Sequence, residues 1–405
     1  MTRRRLLLVG LAVVAAAALA FAAAAALRAD GEEGAAPAGT GAAETTTASG
    51  PRTLEECGEL RSDDEASACY GEALSAALAG AGDPNEALAD IAAVAYTEPS
   101  GRLLRDCHGL MHAVGREYAQ ANGVTLESLM TYLPQTNEPG CSAGFAHGLV
   151  TAVAPEIDLT RPEAAAAVCD ETETRYQRYS CVHGFGHAFM RLVREDLPAA
   201  LELCSALGAE APDCSQGAFH DYWFAVIGAD ETERPPTVVD DPRELCGAQP
   251  DEFVRPCWYR AFVDDRPDRP VREAADILVL CDGLESLQRR ACVTAASVVG
   301  PPDPARQLAI CNELGGEEAV SCIHGTKVQN LIASPPEDLV ALVRQCQGFP
   351  AGTDLACYRW LGKVLAVLTN GEFEAFGCPQ IPDPAGRRAC LAGARSSDEP
   401  LVTFS

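Results

Sequence analysis

Positive charge is what this chain has least of. Its 31 Lys and Arg residues stand against 58 Asp and Glu, a formal net charge of -27. A phosphate backbone needs a basic face, and no stretch supplies one, so nucleic acid is excluded as a partner. The acidity reads as a soluble, self-repelling surface. The marks of common catalysts are missing too: there is no Gly-x-Ser-x-Gly elbow, phosphate loop or dinucleotide fingerprint. Apolar runs late in the chain, such as Val364 to Leu368, are too short to span a bilayer, which takes roughly 20 residues. Histidine is also scarce, seven in 405 residues, which makes its distribution informative.

The long apolar run is at the N-terminus. Arg3, Arg4 and Arg5 precede Leu6 to Leu27, and acidic residues follow at Asp30, Glu32 and Glu33. This is the pattern of an export signal with its positive end kept inside. The run exceeds the roughly 7 to 15 residues of a signal-peptide core and approaches the length of a membrane span, which favours an anchor. Ala20-Phe21-Ala22 offers a cleavage site, and Thr2-Arg3-Arg4-Arg5-Leu6-Leu7 resembles a twin-arginine signal. No cysteine follows the run, which argues against a lipoprotein. Residues 1–29 are therefore expected to be an export signal or membrane anchor, the membrane being met through this segment only, and 30–52 a disordered linker poor in large apolar side chains. The folded part divides into 53–230 and 231–396, with a tail at 397–405. Localisation is extracytoplasmic, secreted or anchored.

Export decides how the eighteen cysteines are read, since an oxidising compartment favours disulfides over metal thiolates. Sixteen fall into pairs 10 to 12 positions apart: Cys57 with Cys69, Cys169 with Cys181, Cys204 with Cys214, Cys246 with Cys257, Cys281 with Cys292, Cys311 with Cys322, Cys346 with Cys357 and Cys378 with Cys390. The apolar pattern around each pair is helical, with turn-prone residues such as Ala211-Pro212-Asp213 between. Each unit thus reads as an αα-hairpin whose first cysteine closes helix A and whose second opens helix B. Asp83-Pro84, Asp241-Pro242 and Asp303-Pro304 are placed to cap A helices. Cys107 and Cys141 both occupy the second-cysteine position and lack an upstream mate, so they are expected to pair with each other. That gives about ten units and nine disulfides.

The expected fold is all-α: an αα-hairpin repeat solenoid of period roughly 35, open or closed into a toroid. In period and cysteine staple, residues 54 to about 396 resemble the Sel1-like and tetratricopeptide-like repeats. The tetratricopeptide Trp-Leu-Gly-Tyr pattern is absent, so the resemblance implies the shape and no functional residue.

Six of the seven histidines follow four successive second-position cysteines in the frame Gly-x-x-His: His108 and His112, His147, His183 and His187, and His220. The seventh, His324, sits in a degenerate copy. Residues four apart share a helix face, so His108 with His112, and His183 with His187, each present two imidazoles to one point. The glycine of each frame would let neighbouring B helices approach closely. The bland reading is inherited packing at each repeat interface. Against it, later units carry Val263, Val298, Val328 and Lys363 at the matching position, and His108 and His183 are extra to packing. The six histidines are the candidate ligands of a transition metal, with Glu117 or Asp221 as minor candidates.

Imidazoles without thiolates suit copper, zinc, iron or nickel. Two His-x-x-x-His pairs plus two single histidines are similar to the ligand count of type 3 copper proteins, and that likeness implies oxygen chemistry. Haem attachment is excluded because Cys107-His108 lacks a cysteine three residues earlier. A zinc-protease helix is unsupported, since Gly109 and Gly184 stand where its catalytic glutamate would be. Tyr118, Tyr222, Trp223 and Phe224 read as core, and Arg116 as a solvated surface charge. Two functions follow. One is a metal-binding helical-repeat protein with a copper, zinc or iron centre which, were it an enzyme, would be an oxidoreductase or hydrolase. The other is a scaffold that holds an extracytoplasmic protein or peptide on its concave face.

Overall fold

Helices begin in this chain where the sequence supplies a cap. Ser62 and Thr174 each accept a backbone N–H three residues on, and Thr174 forms a reciprocal capping box with Gln177. Asp83 and Asp241 accept from the N–H two residues on, and Asp303 and Asp383 from that three residues on, each ahead of a proline in the first helical turn, where the missing N–H has no partner to lose.

The computed structural model describes residues 52–136, 138, 140–226, 238–263, 271–301, 303–333, 346–349, 352–369, 371, 374–375 and 377–396. The expected signal or anchor at 1–29, the linker up to residue 51, the boundary at 230/231 and the tail at 397–405 lie outside them. The first half comprises α1 (Leu54–Gly58), α2 (Asp63–Gly80), α3 (Pro84–Thr97), α4 (Arg102–Asn122), α5 (Leu129–Tyr132), α6 (Cys141–Ala152), α7 (Pro162–Ala166), α8 (Arg175–Leu192), α9 (Leu197–Ser205) and α10 (Ala211–Asp221). The second comprises α11 (Pro242–Gly247), α12 (Asp251–Val263), α13 (Ala274–Leu280), α14 (Ser286–Val298), α15 (Pro304–Leu314), α16 (Gly316–Ala333), α17 (Thr353–Leu368) and α18 (Pro384–Arg395). No strand occurs among the described residues, and none of their helices is long and apolar enough to cross a membrane.

Helices α2, α4, α6, α8, α10, α12, α14, α16, α17 and α18 each carry a second-position cysteine, and each packs against the next in that order. They hold many of the largest buried side chains, including Tyr70, Phe145, Phe185, Phe189, Phe219 and Trp258. Helix α17 also touches α8, so the later helices return to the earlier ones.

Nine disulfides consume all eighteen cysteines. Eight close short hairpins, joining Cys57 to Cys69, Cys169 to Cys181, Cys204 to Cys214, Cys246 to Cys257, Cys281 to Cys292, Cys311 to Cys322, Cys346 to Cys357 and Cys378 to Cys390. The bridge from Cys107 to Cys141 instead ties α4 to α6 across a sequence separation of 34. This complement, with no free cysteine, places the chain in an oxidising, extracytoplasmic environment.

Two details correct the hairpin expected from sequence. The second cysteine lies inside helix B rather than at its start: Cys69 in α2, Cys181 in α8, Cys322 in α16, Cys357 in α17 and Cys390 in α18 all follow at least one turn of helix. The caps at Ser62, Thr174 and Asp383 begin three of those helices earlier than the cysteine pattern implies. The first cysteine can sit in a short 3-10 turn, as do Cys169, Cys346 and Cys378.

Candidate metal centre

Four helices that follow one another in the packing order, α4, α6, α8 and α10, bring the six histidines together. Close backbone approach makes this possible. A Cβ at Gly144 would overlap the carbonyl oxygen of His108, and one at Gly217 that of His183, so α6 lies against α4 and α10 against α8. The glycine of the third frame behaves differently: Gly184 meets the Val150 side chain, and Gly186 makes the tight contact, with Cys214 of α10.

The rings form one cluster. His112 lies 5.0 Å from His108, 5.2 Å from His147 and 4.8 Å from His187 between ring centroids. His147 stacks on His183 at 4.6 Å, and His220 stands 5.1 Å from His187. Five of the six are buried, and His112 is partly exposed. Two overlapping groups have ligand atoms close enough to hold an ion: His108, His112 and His147, and His147, His183 and His187. His220 belongs to the ring cluster but to neither group. His324 is elsewhere, stacked on Trp360.

The first group has a specific geometry. His112 Nε2 lies 3.3 Å from His108 Nε2 and 3.2 Å from His147 Nδ1. The far nitrogens are engaged: His108 Nδ1 is 3.1 Å from the Gly140 carbonyl, to which it donates, and His147 Nε2 is 3.2 Å from Ser180 Oγ. With its proton on Nδ1, His108 turns a bare Nε2 inward; in the tautomer whose Nε2 donates to Ser180, His147 turns a bare Nδ1 inward. Both face His112 Nε2, which carries at most one proton. One of the two contacts is then lone pair against lone pair. A shared cation removes that repulsion, and donors about 2.05 Å from a tetrahedral metal stand about 3.3 Å apart.

The second group is less complete. His187 Nδ1 donates to Asp221 Oδ1 at 2.8 Å, which leaves Nε2 on the opposite edge, buried and without a partner. His183 Nδ1 and His220 Nδ1 are likewise buried and unpartnered. Arg260 of α12 brings Nη2 to 3.4 Å from His183 Nε2.

Burial holds His112, His147, His183 and His220 well below the ordinary imidazole value, and neighbouring imidazoles add to it. Arg260 contributes at His147, His183 and His220, and Arg116 at His112. These rings are neutral at neutral pH, the form a metal requires.

Of the minor candidates, Asp221 orients His187, whereas Glu117 is exposed and accepts from Ser75. Trp223 and Tyr222 are buried, Tyr118 packs on Phe145, and Phe224 lies against His220. Arg116 is half-buried rather than fully solvated; Gly148 of α6 lies against its backbone, and Arg191 of α8 is close enough for its charge to be felt.

Sequence reasoning misses several participants. Ser180 and the Gly140 carbonyl engage His147 and His108, and buried Glu138 accepts from Gly140 N and Ser142 N, fixing the turn that presents that carbonyl. None of the three carries a local signal. Arg260 does: in Cys257-x-x-Arg260-x-x-Val263 it occupies the glycine slot of the frame.

These features describe a three-nitrogen site with anchored ligands and further imidazoles beside it, on a helical chain closed by disulfides. No protein family, curated protein or solved structure matches this chain.

Proposed function

We propose that this is an exported metal-binding protein in which His108 Nε2, His112 Nε2 and His147 Nδ1 hold a transition metal. His183, His187 and His220 supply further nitrogens beside it. One observation carries the reading: three ring nitrogens converge at ligand-to-ligand spacing while the far nitrogens of His108 and His147 are engaged by Gly140 and Ser180. Packing histidines would be buried separately at successive interfaces; here they meet.

With every cysteine in a disulfide, no thiolate competes, and an all-imidazole set suits copper, zinc or iron. Three protein ligands leave a coordination position for a water or substrate, the arrangement of catalytic rather than structural sites. This supports a metal-dependent hydrolase or oxidoreductase over a purely structural ion. The unbroken succession of helices from α2 to α18 supports an αα-repeat solenoid as the scaffold, and export through residues 1–29, as signal or anchor, accords with the disulfides.

Elemental analysis of protein made in an oxidising compartment tests the reading. A stoichiometric transition metal, lost in the double variant His112→Ala, His187→Ala, is the expected result. Metal-free protein whose stability is unchanged by those substitutions overturns it.

A further inference from the structure

The histidine cluster is open at one end. His112 is partly exposed there, and the Asp221 side chain is 21% exposed. One helical turn beyond His112 and His187, on the same faces of α4 and α8, stand Arg116 and Arg191. The rings of His112 and His187 are 4.8 Å apart, so the two arginines flank the same opening.

Arg116 is half-buried and Arg191 exposed, and neither forms an ion pair or hydrogen bond with a described residue. In a chain with 58 acidic and 31 basic residues, composition does not explain two such guanidiniums side by side. Two carboxylates stand nearby and act on Arg116 through their charge, Asp221, whose Oδ1 accepts from His187, and Glu117, which accepts from Ser75 at 3.2 Å, but neither pairs directly with either arginine. Burial, and then the charge of Arg191, loosens the proton of Arg116, while Asp221 and Glu117 oppose that loss. Beneath the opening lie the buried, unpartnered nitrogens His187 Nε2 and His220 Nδ1.

We propose that Arg116 and Arg191, together with the metal held by the histidines, form a binding site for an oxyanion, a phosphoryl or carboxylate group of a substrate or ligand. The inference rests on the metal reading. Guanidinium forks match both groups in geometry, and an oxygen of the same anion would take the coordination position that three histidines leave open. An anion also relieves the repulsion between the two arginines and between them and the metal.

The test uses full-length protein loaded with zinc chloride, freed of excess metal, and assayed for zinc content before use. Inorganic phosphate is titrated calorimetrically into wild type, the double variant Arg116→Gln, Arg191→Gln and a control, Arg290→Gln in α14, with acetate as a second arm. The expected result is one anion per chain, bound at least tenfold more weakly by the double variant, with zinc content unchanged and the control like wild type. The tighter of the two anions names the source of the group. Because Arg191 is exposed, Arg191→Gln alone is a safeguard against misfolding, and a weakening of severalfold is expected from it. Loaded protein that binds neither anion, or binds them as tightly in both arginine variants, overturns the proposal and leaves the metal reading intact. Failure to take up zinc or another transition metal counts against the metal reading and removes this proposal with it.

Discussion

His187 and Asp221 are joined across the contact of α8 and α10 by a 2.8 Å hydrogen bond from Nδ1 to Oδ1. The bond sets the tautomer, so that the ring presents its Nε2 lone pair to the cluster, and it makes that nitrogen a stronger donor.

Asp221→Asn keeps the shape of the side chain but removes its charge. Metal affinity is expected to fall roughly ten- to hundredfold, with the fold retained. Competition against a chelator of known affinity reads this, and an unchanged affinity would detach Asp221 from the centre.

The metal-free protein is expected to lose stability in acid. His112, His147, His183 and His220 bind protons more weakly folded than unfolded, because they are buried. Below the unfolded histidine value, about 6.5, the unfolded chain therefore holds more protons. Stability is fully present above that pH and declines as pH falls below it, by up to about 1.4 kcal/mol per pH unit for each such ring. Urea midpoints of the apo protein at pH 7.5 and 5.5 measure the loss, and His147→Ala, His183→Ala should shrink it. Equal midpoints in the wild type would mean the cluster accepts protons while folded.

Two glycine substitutions should act with opposite sign. Gly144→Ala puts a Cβ against the His108 carbonyl, forcing α4 and α6 apart at a cost of about 1–3 kcal/mol and weakening metal binding. Gly71 lies in helix α2 with open space around it, so Gly71→Ala should stabilise by about 0.5–1 kcal/mol and leave the metal alone. Thermal melts and chelator competition on both variants separate the effects.

Removing disulfides should separate scaffold from site. Cys107→Ala with Cys141→Ala opens a loop of separation 34, worth about 4 kcal/mol by chain entropy, and Cys281→Ala with Cys292→Ala one of separation 11, worth about 3 kcal/mol. Both variants melt lower, but only the first should lose metal affinity, because it alone ties together two helices that carry ligands. Equal metal affinity in the two would make the first bridge a staple like the rest.

Much of this molecule is legible in one dimension because its parts repeat. Cysteine spacing predicts the eight hairpin bridges, the two unmated cysteines predict the ninth, and the Asp-Pro phrases mark where helices start. The same spacing misplaces the start of the B helices, since the residues that cap them, such as Ser62 and Asp383, lie upstream of the cysteines. The four Gly-x-x-His frames bring out all six clustered histidines. What sequence does not hold is the rotation of each helix about its axis, and that decides whether His147 faces His112 or solvent. Nor does it reveal groups that act through the backbone, such as the Gly140 carbonyl, or common residues placed by distant packing, such as Ser180 and Glu138. Arg116 reads as solvated for the same reason: it is half-buried in the fold, where α6, a distant stretch of chain, lies against its backbone.

The bridge between Cys107 and Cys141 also sets an order of assembly. Cys107 adjoins His108, and Cys141 adjoins Gly140, the residue whose carbonyl orients that histidine. Closing the one bond therefore aligns a ligand and its anchor together. In a reducing compartment the histidines of α4 and α6 would lack this clamp, and the chain would be a poor competitor for the metals of the cytoplasm. On the proposed metal reading, oxidation would come first and metal second, and the protein would draw its ion from the supply outside the membrane.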